Sequence, residues 1–498
     1  MRLRTMFVAV AVAAAATGLT LTLVPTASAV TTKADDFNGD GVADLVVATP
    51  EAPVGSYPAA GSVTVLYGSA DGVSPARSAT LTQNSAGVPG DAWSNELFGS
   101  TYATGDLDGD GYTDLVVGAP GERVPNSSSY GTLTILWGGA NGLSGDGITI
   151  ASPLATSQWD AEKDFGKKVV VADLDGDGTP QLAALSRNKL WVYDDLPGRT
   201  APTGARYAEN FNAYIEPRTL TAGDFTGAGR AQLVVTGPEN CDGTTGGCQH
   251  TGVYTWGADS LDEVWLTDPA SGTADATEAP TVAAAAGDVD HDGYADLVTG
   301  HIPASAAAAG EYSDAAGFVH VRYGSPEGLG AHRTATLDQN TAGVPGSNEP
   351  GDNFGASLAV GDVTGDGYAD VAVGVPGEAV GTVAQTGGAA LLKGTATGLT
   401  GAGAQAFYQT TSGVPGAAEA DDWFGSAVRI ADVDGNGAAD LAIAAKGEDV
   451  FAGSTRDGGD WVLRGSATGL TTTGAISFSE RAFGFTYPNA EFGSVLGS

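Results

Sequence analysis

Four aspartates are crowded into nine residues early in the chain, at Asp106, Asp108, Asp110 and Asp114. Carboxylates at positions 1, 3 and 5 of such a loop point their oxygens at one place, and a glycine at position 6 allows the sharp turn. The backbone carbonyl of position 7, here Tyr112, and the carboxylate of position 9 complete the set. Because hard oxygen donors in a flexible loop suit Ca2+ better than Zn2+, this segment predicts a calcium loop.

The residues after the loop predict a strand. An EF-hand would need a bidentate glutamate at position 12, where this chain has Val117, and a helix on each side. Instead, Asp114 leads directly into Leu115-Val116-Val117, an apolar run that is typical of a buried strand. We therefore expect the loop to join two strands of a hairpin.

The loop recurs seven times, with first residues that lie 70, 67, 51, 64, 74 and 70 residues apart. A repeat of this length is too long for a solenoid coil and fits a propeller blade of four strands. A plain turn is the alternative for each copy, but it gives no reason to repeat spaced carboxylates or amides. We expect about five to six Ca2+ sites. The predicted ligands are Asp36, Asn38, Asp40, Val42, Asp44, Asp106, Asp108, Asp110, Tyr112, Asp114, Asp173, Asp175, Asp177, Asp288, Asp290, Asp292, Tyr294, Asp296, Asp362, Thr364, Asp366, Tyr368, Asp370, Asp432, Asp434, Asn436, Ala438 and Asp440.

Two copies depart from the pattern. The loop at Asp173 has Gln181 at position 9, and weak binding and no binding both stay open there. The loop that begins at Asp224 has Thr226 and Ala228 in place of acids, so we predict that it has lost the metal and is kept for its geometry.

The repeats predict an all-β fold, a seven-bladed β-propeller with four-stranded blades. The second strands are apolar and should be buried on both faces, whereas the third strands alternate and should be half-buried. Phe-Gly is missing before Asp36 but returns at Phe492, so residues 491–498 should complete blade one and close the ring. We expect no catalytic domain before Asp36 or after Ser498. The repeats lie at about 36–90, 91–157, 158–209, 210–273, 274–346, 347–416 and 417–490.

Residues 1–29 predict a secretory signal peptide. Arg2 and Arg4 form its basic end, residues 6–24 carry no charge, and Ala27-Ser28-Ala29 is a cleavage site. A membrane anchor is the alternative, because the apolar run approaches spanning length. The small residues and Pro25 before the cleavage site favour cleavage of the signal peptide over membrane anchoring. We expect residues 30–498 to be secreted, extracellular or loosely associated with the cell envelope, without membrane insertion, as a monomer.

The charge of the chain excludes two classes of partner. It has 59 acidic and 22 basic residues, for a formal net charge of −37. Such a surface repels nucleic acid and anionic membranes.

Cys241 and Cys248 bracket a loop of six residues. In an exported chain this spacing favours a disulfide bond, with a zinc pair helped by His250 as the alternative.

The motifs of common hydrolases give no support for catalysis. No serine lies in a G-x-S-x-G elbow. Paired acids are so frequent in the metal loops that a glycosidase pair cannot be singled out.

Phe-Gly, D-x-D-x-D-G-x-x-D and Gly-Ala-Pro, in this order, resemble the FG-GAP repeat. It is the blade of the integrin α-subunit propeller and of secreted bacterial FG-GAP proteins. The resemblance covers residues 34 to 498 approximately. It implies a seven-bladed propeller with Ca2+ in the hairpin loops and a role in extracellular binding or cell adhesion. Because the sequence shows no leg domains, no membrane span, no inserted ligand domain and no R-G-D, only the extracellular binding role is carried over.

Strand direction separates two faces of the predicted propeller. The metal loops and the turns between strands three and four share one face, and the longer loops share the other. Trp93, Trp159 and Trp423 lie in longer loops and mark the predicted ligand face, although each ring could also pack under its own loop. We predict a binding or adhesion module for an extracellular protein or glycan. The alternatives are an extracellular polysaccharide lyase or hydrolase that uses the mouth of the propeller, and a structural cell-envelope protein.

Overall fold

The computed structural model divides the chain into two compact units, residues 1–31 and 32–498. The structure describes residues 34–497 except 126, 154–162, 195, 197, 203, 212–214, 240–247, 258–259, 267–280, 303–315, 452 and 454–455. The leader, Cys241 and Trp159 lie outside the described residues. The signal peptide, the disulfide bond and the role of Trp159 therefore stay predictions.

The described residues form seven antiparallel sheets, each built from consecutive strands of the chain. They are the seven blades of a β-propeller, as predicted. Blade one contains β1 (Leu45–Thr49), β2 (Ser62–Leu66) and β3 (Ser78–Leu81). Blade two contains β4 (Thr101–Gly105), β5 (Asp114–Arg123), β6 (Tyr130–Leu136) and β7 (Gly147–Ala151). Blade three contains β8 (Lys168–Ala172), β9 (Gln181–Leu185), β10 (Lys189–Tyr193) and β11 (Tyr207–Asn210).

Blades four to seven repeat the four-stranded plan. Blade four contains β12 (Thr219–Gly223), β13 (Gln232–Glu239), β14 (Cys248–Trp256) and β15 (Leu261–Trp265). Blade five contains β16 (Thr281–Gly287), β17 (Asp296–His301), β18 (Phe318–Arg322) and β19 (Thr334–Leu337). Blade six contains β20 (Leu358–Gly361), β21 (Asp370–Val375), β22 (Gly388–Lys393) and β23 (Thr400–Phe407). Blade seven contains β24 (Phe424–Ala431), β25 (Asp440–Ala445), β26 (Gly459–Arg464) and β27 (Thr471–Phe478), and a short 3-10 helix (Glu480–Phe483) follows it.

The C-terminal segment takes the remaining strand position of blade one. Val495 pairs antiparallel with Ala48 of β1: the Ala48 N–H donates to the Val495 carbonyl at 3.0 Å, and the Val495 N–H donates back at 3.4 Å. Gly493 adds a bond to the Thr49 hydroxyl at 3.4 Å. Phe492 is buried among residues of blades seven and one. The predicted closure of the ring is confirmed.

Burial follows the prediction for the second strands but not for the third. Every residue of β1, β9, β21 and β25 is buried, as expected for strands covered by both neighbouring blades. The prediction of half-buried third strands was wrong, because β2 is buried along its whole length. Its polar residues are small hydroxyls that bond within the blade, as Thr64 does with Thr80 at 2.9 Å.

Where it is present, the Phe-Gly motif joins its blade to the preceding one. Phe98 is fully buried, and its backbone forms a parallel bridge with Gly61, just before β2. Gly61 has φ 93°, and a Cβ atom there would lie 2.1 Å from the Phe98 carbonyl oxygen. Only glycine permits this approach. The same contact joins Gly387 to Phe424.

Candidate functional site

The position-1 aspartate organises the turn in all seven copies of the loop. In the second loop, Asp106 Oδ1 accepts hydrogen bonds from the N–H groups of Gly109 at 2.8 Å and Asp110 at 3.1 Å, and its Oδ2 accepts one from Gly111 at 3.0 Å. The degenerate loop keeps this arrangement, since Asp224 accepts bonds from residues 228 and 229. These bonds fix the shape of the loop, so its shape alone does not identify a metal site.

The position-9 aspartate ties each loop to the rest of its blade. Asp114 is fully buried, and its Oδ2 accepts the N–H of Leu107 while its Oδ1 accepts the N–H of Gly138, both at 2.9 Å. Asp44, Asp296 and Asp440 make both of the equivalent bonds. Burial raises the pKa of each of these four carboxyls to about 7. The predicted metal ligand at position 9 is therefore also a structural link, which the sequence pattern did not reveal.

Glutamine replaces the position-9 acid in blades three and four. The Oε1 of Gln181 accepts the N–H of Leu174 at 2.6 Å, and the Oε1 of Gln232 accepts the N–H of Phe225 at 2.9 Å. The amide thus keeps the link to position 2 without a charge. This substitution explains how a loop with fewer acids keeps its shape.

Four loops bring three carboxylates together, with one oxygen of each within 4.8 Å of the others. Three of the clusters combine positions 1, 3 and 9, and the one in blade three combines positions 1, 3 and 5. Such clusters of oxygen donors could hold a metal ion. Their members are Asp106, Asp108 and Asp114; Asp173, Asp175 and Asp177; Asp288, Asp290 and Asp296; and Asp432, Asp434 and Asp440.

The other two predicted loops offer fewer carboxylates. Position 3 is Asn38 in blade one and Thr364 in blade six, and within the described residues neither loop brings three acids this close. In blade six, Asp370 also lies 3.6 Å from the ammonium of Lys393. Neutral side-chain oxygens would have to replace the position-3 acid in these two loops.

Positions 5 and 7 are linked by a hydrogen bond inside the loops of blades one, two, five, six and seven. The N–H of position 7 donates to the side-chain oxygen of position 5, from Tyr112 to Asp110 at 3.0 Å and from Ala438 to Asn436 at 2.7 Å. The same bond is made by Val42, Tyr294 and Tyr368. An asparagine can therefore do the structural work of an aspartate at position 5.

Backbone hydrogen bonds connect the loops around the ring. The N–H of position 8 donates to the position-1 carbonyl of the preceding blade, as from Thr113 to Asp36 at 3.0 Å and from Ala43 to Asp432 at 3.3 Å. Residues 231, 295, 369 and 439 make the same bond. Blade three has Pro180 at this position, which has no N–H to donate. The loops are thus coupled mechanically at six of the seven blade junctions within the described chain.

Arginine side chains lie against three of the acidic clusters. Arg464 pairs with Asp434 at 2.7 Å, and Arg333 pairs with Asp290. Arg199 of blade three reaches the loop of blade two, where it pairs with Asp108 and with Asp110 at 2.6 Å. A metal ion in these loops would either share the position-3 carboxylate with the arginine guanidinium or displace the guanidinium from that carboxylate. These arginines are distant from the loops in sequence, so motif analysis missed them.

The opposite face holds the tryptophans that mark the predicted ligand surface. Trp93 is 58 % exposed, and its ring centroid lies 5.2 Å from that of Tyr57. Trp423 is half-buried, with Lys446 and Arg456 over its ring at 5.1 and 4.9 Å. Among the described aromatic contacts, none joins Trp93 to Trp423. Of these two tryptophans, Trp93 therefore has the more exposed ring, and the two rings are not in direct contact.

The first strands of the blades surround a central cavity of about 560 Å3. Small residues form much of its wall, including the alanines at 283–286. Its charged groups include Lys168 and an ion pair in which Arg429 lies 2.6 Å from Asp35. Asp35 also accepts a hydrogen bond from Thr104 at 2.6 Å.

No described helix has the length and apolar character needed to cross a bilayer.

Three segments of the chain match the family model of the FG-GAP repeat, residues 31–66, 98–136 and 354–392. Each contains a metal loop and the second and third strands of a blade. The chain therefore contains FG-GAP repeats. This agrees with the seven-bladed fold and with the resemblance carried by the sequence motifs.

The FG-GAP chain is also similar to mammalian phosphatidylinositol-glycan-specific phospholipases D. The rat protein is 31 % identical over 154 residues and the bovine protein is 30 % identical over 150 residues. Each match covers 30 % of this chain but only 17 % of the relative. The shared segment is thus a small part of those proteins.

Solved propellers resemble the chain more weakly. The Dos1 propeller has 10 % identity and a TM-score of 0.39, over 73 % of this chain and 69 % of that structure. BBS1N in complex with ARL6DN has 12 % identity and a TM-score of 0.38, over 77 % and 82 % of the two chains. At these values neither structure informs the function of this protein.

Proposed function

We propose that this FG-GAP propeller is an exported, Ca2+-binding module whose longer-loop face binds an extracellular protein or glycan, as in cell adhesion. The observation that carries the proposal is the repeated cluster of three carboxylates, as at Asp106, Asp108 and Asp114. Burying like charges together penalises the ion-free state. A divalent cation with a preference for oxygen ligands relieves that penalty.

Calcium fits the ligands of the loops better than other common cations. Each cluster is made of oxygen donors alone, and thiolate or imidazole ligands that would favour zinc are absent from the described clusters. Ca2+ also accepts amide, hydroxyl and carbonyl oxygens with variable geometry, which suits Asn38 and Thr364 at position 3. Since the pKa of Asp114 is about 7, binding at neutral pH should release protons.

The binding role rests on the contrast between the two faces. The metal-loop face consists of short turns whose carboxylates are engaged in hydrogen bonds or ion pairs. The other face carries longer loops, and Trp93 and Tyr57 together form an exposed aromatic surface there. Aromatic rings beside acids and amides suit a sugar or a cationic protein. With a net charge of −37, nucleic acid is not a proposed partner.

An extracellular enzyme that acts on polysaccharide is the second candidate, since the central cavity could admit a small ligand. Its Asp35 and Arg429 neutralise each other, so this pair does not offer a free acid and base. The phospholipase activity in the name of the mammalian relatives belongs to proteins of which the shared segment is 17 %. We therefore favour binding over catalysis.

An array of glycans and extracellular proteins, probed with the full chain in Ca2+ and in EDTA, tests the proposal. We expect a ligand whose binding requires Ca2+ and weakens about tenfold or more in Trp93→Ala, with an unchanged melting temperature. The matched control is Trp265→Ala, since Trp265 is 50 % exposed on the outer strand of blade four. Binding that survives Trp93→Ala but disappears when Asp106 and Asp108 are changed in a folded protein would contradict the assignment of faces.

A further inference from the structure

A second set of oxygen clusters lies on the face opposite the metal loops. Each joins a glutamine just after the fourth strand of one blade, a glutamate at or just after the end of the second strand of the next blade, and an acid two residues before the Phe-Gly motif. In all three copies the glutamine amide donates to the glutamate 39 residues later, at 2.7–2.8 Å. The members are Gln83, Glu96 and Glu122; Gln339, Asp352 and Glu378; and Gln409, Asp422 and Glu448.

The copy between blades six and seven is the most complete. Gln409 Nε2 donates to Glu448 at 2.7 Å and also lies within hydrogen-bond reach of Asp422. Asp422 is 1 % exposed, and its Oδ2 accepts the N–H of Glu419 at 2.6 Å. One carboxylate oxygen from each of Glu419, Asp422 and Glu448 lies within 4.8 Å of the others. Three carboxylates therefore surround one amide.

The buried amides have an oxygen without a partner. Gln409 is 3 % exposed, and its Oε1 has no hydrogen-bond partner among the described residues. The Oε1 atoms of Gln83 and Gln339 are buried and unpartnered in the same way. Each of these atoms belongs to the amide whose nitrogen contacts the glutamate, so it lies beside the cluster. An unsatisfied buried acceptor is unfavourable, so each of the three equivalent oxygens needs an ion or a water molecule as its partner.

The copy between blades five and six adds a space for that ligand. A cavity of about 10 Å3 is lined by Gln339, Glu378 and Phe354. This is close to the smallest volume that holds one water molecule. An ion or a water could therefore stand beside the amide without a change in the backbone.

We propose that Gln409, Glu419, Asp422 and Glu448 form a Ca2+ site that is separate from the seven metal loops, and that the other two junctions carry reduced copies of it. A neutral amide oxygen and three carboxylates match the oxygen coordination of Ca2+, with water as the remaining ligand. The ion would join the end of the fourth strand of blade six to blade seven. It would thus act as a clamp between neighbouring blades, on the face where the ligand is proposed to bind.

The rival explanation is that the carboxyls share protons and hold no ion. Burial, with Asp422 nearby, raises the pKa of Glu448 to about 7, and burial raises that of Asp422 to about 6. At pH 8 a proton-sharing pair loses its proton, whereas an ion site is strongest there. Measurements of Ca2+ binding at pH 8 therefore distinguish an ion site from a pair of carboxyls that share a proton.

The test counts the Ca2+ ions bound to the full chain at pH 8, by equilibrium dialysis with radioactive calcium. Glu448→Gln should bind one ion fewer than the wild type and, in EDTA, should melt a few degrees higher because repulsion is relieved. Asp421→Asn is the matched control, since Asp421 is exposed beside the cluster and is not a member of it. Asp421→Asn should leave both the number of bound Ca2+ ions and the melting temperature unchanged.

A second variant keeps the test decisive if Glu448→Gln does not fold. Glu419 is exposed at the rim, and Glu419→Gln should weaken one site about tenfold without unfolding the protein. Repeating the count in a protein with Asp106→Asn and Asp108→Asn separates this site from the loops. Unchanged counts and affinities in Glu419→Gln and in folded Glu448→Gln would overturn the proposal.

Discussion

At the scale of single residues, the acids of a metal loop divide into two groups. Asp114 holds the blade together through two buried hydrogen bonds, whereas Asp110 lies near the surface, where it accepts the N–H of Tyr112 and pairs with Arg199. The motif alone presents both as ligands. The structure shows that an amide at position 5 keeps the bond to position 7, as Asn436 does with Ala438.

A pair of substitutions tests this division. Asp114→Asn should lower the free energy of unfolding by about 1–3 kcal/mol even in EDTA, because an amide cannot accept both the Leu107 and Gly138 N–H groups. Asp110→Asn should change mainly the Ca2+-dependent part of the stability, because Asn436 already fills this position in blade seven and the exposed pair with Arg199 adds little. Denaturant unfolding with and without Ca2+ measures both. An equal loss for the two variants in EDTA would refute the division.

Arg199 competes with a cation for the loop of blade two. Its guanidinium lies at Asp108 and Asp110, so a bound ion must either displace it or tolerate a like charge nearby. Arg199→Gln should therefore strengthen Ca2+ binding at that loop by about tenfold, or ~1.4 kcal/mol. Arg206→Gln is the control, since its partner is Asp194 away from the metal loops. Calorimetric titration of both variants is the measurement, and a weaker site in Arg199→Gln would show that the arginine supports binding instead.

At the scale of elements, the loops and strand order were predictable, and the burial of the third strands was not. The spacing of Asp106 to Asp114 with the apolar run after it predicts a hairpin, since both signals are local. The burial of β2 depends on neighbouring blades, and its threonines look like surface residues in the sequence. The glutamine clusters were also missed, although Q-N-S-A-G-V-P-G and its relatives repeat in the chain. Their partners lie 39 residues away on the next blade.

The Phe-Gly contact gives a prediction for the junction between blades one and two. Gly61→Ala should destabilise the protein by more than about 3 kcal/mol, since the positive φ alone costs about 1 kcal/mol or more and the new Cβ meets the Phe98 carbonyl. Gly55→Ala is the matched control, with φ 62° and no atom within 4 Å of the added Cβ. Thermal melting of both variants separates the cost of the positive φ, which both share, from the cost of the clash with Phe98, which only Gly61→Ala has. Equal shifts would mean that the close approach to Phe98 is not needed.

At the scale of the whole molecule, the ring is closed next to two buried acids. Asp460 and Glu480 lie in blade seven and just after it, and neither carboxylate has a hydrogen-bond partner among the described residues. A Cβ on Gly493 of the closing segment would lie 2.0 Å from Asp460 Oδ2. The protein therefore buries ionisable groups next to the segment that closes the ring.

These acids predict a pH dependence. Burial, then Glu480, raises the pKa of Asp460 well above its usual range, and burial raises that of Glu480 to about 7, whereas both titrate near ~4 in an unfolded chain. Between these values the folded chain holds protons that the unfolded chain has released, so stability falls as pH rises. In EDTA the melting temperature should fall between pH 5 and pH 8 approximately, and Asp460→Asn should flatten that slope. A slope that Asp460→Asn leaves unchanged would contradict this origin.

The most direct test of the account is the melting temperature of the full chain in EDTA and in excess Ca2+. At tenfold excess over Kd, each occupied loop adds about 1.4 kcal/mol, so five loops should raise the midpoint on the order of 10 °C. Mg2+ at the same concentration should give a smaller rise, because its stricter octahedral geometry fits these loops less well. Coincident midpoints in EDTA and Ca2+ would contradict a Ca2+-stabilised propeller.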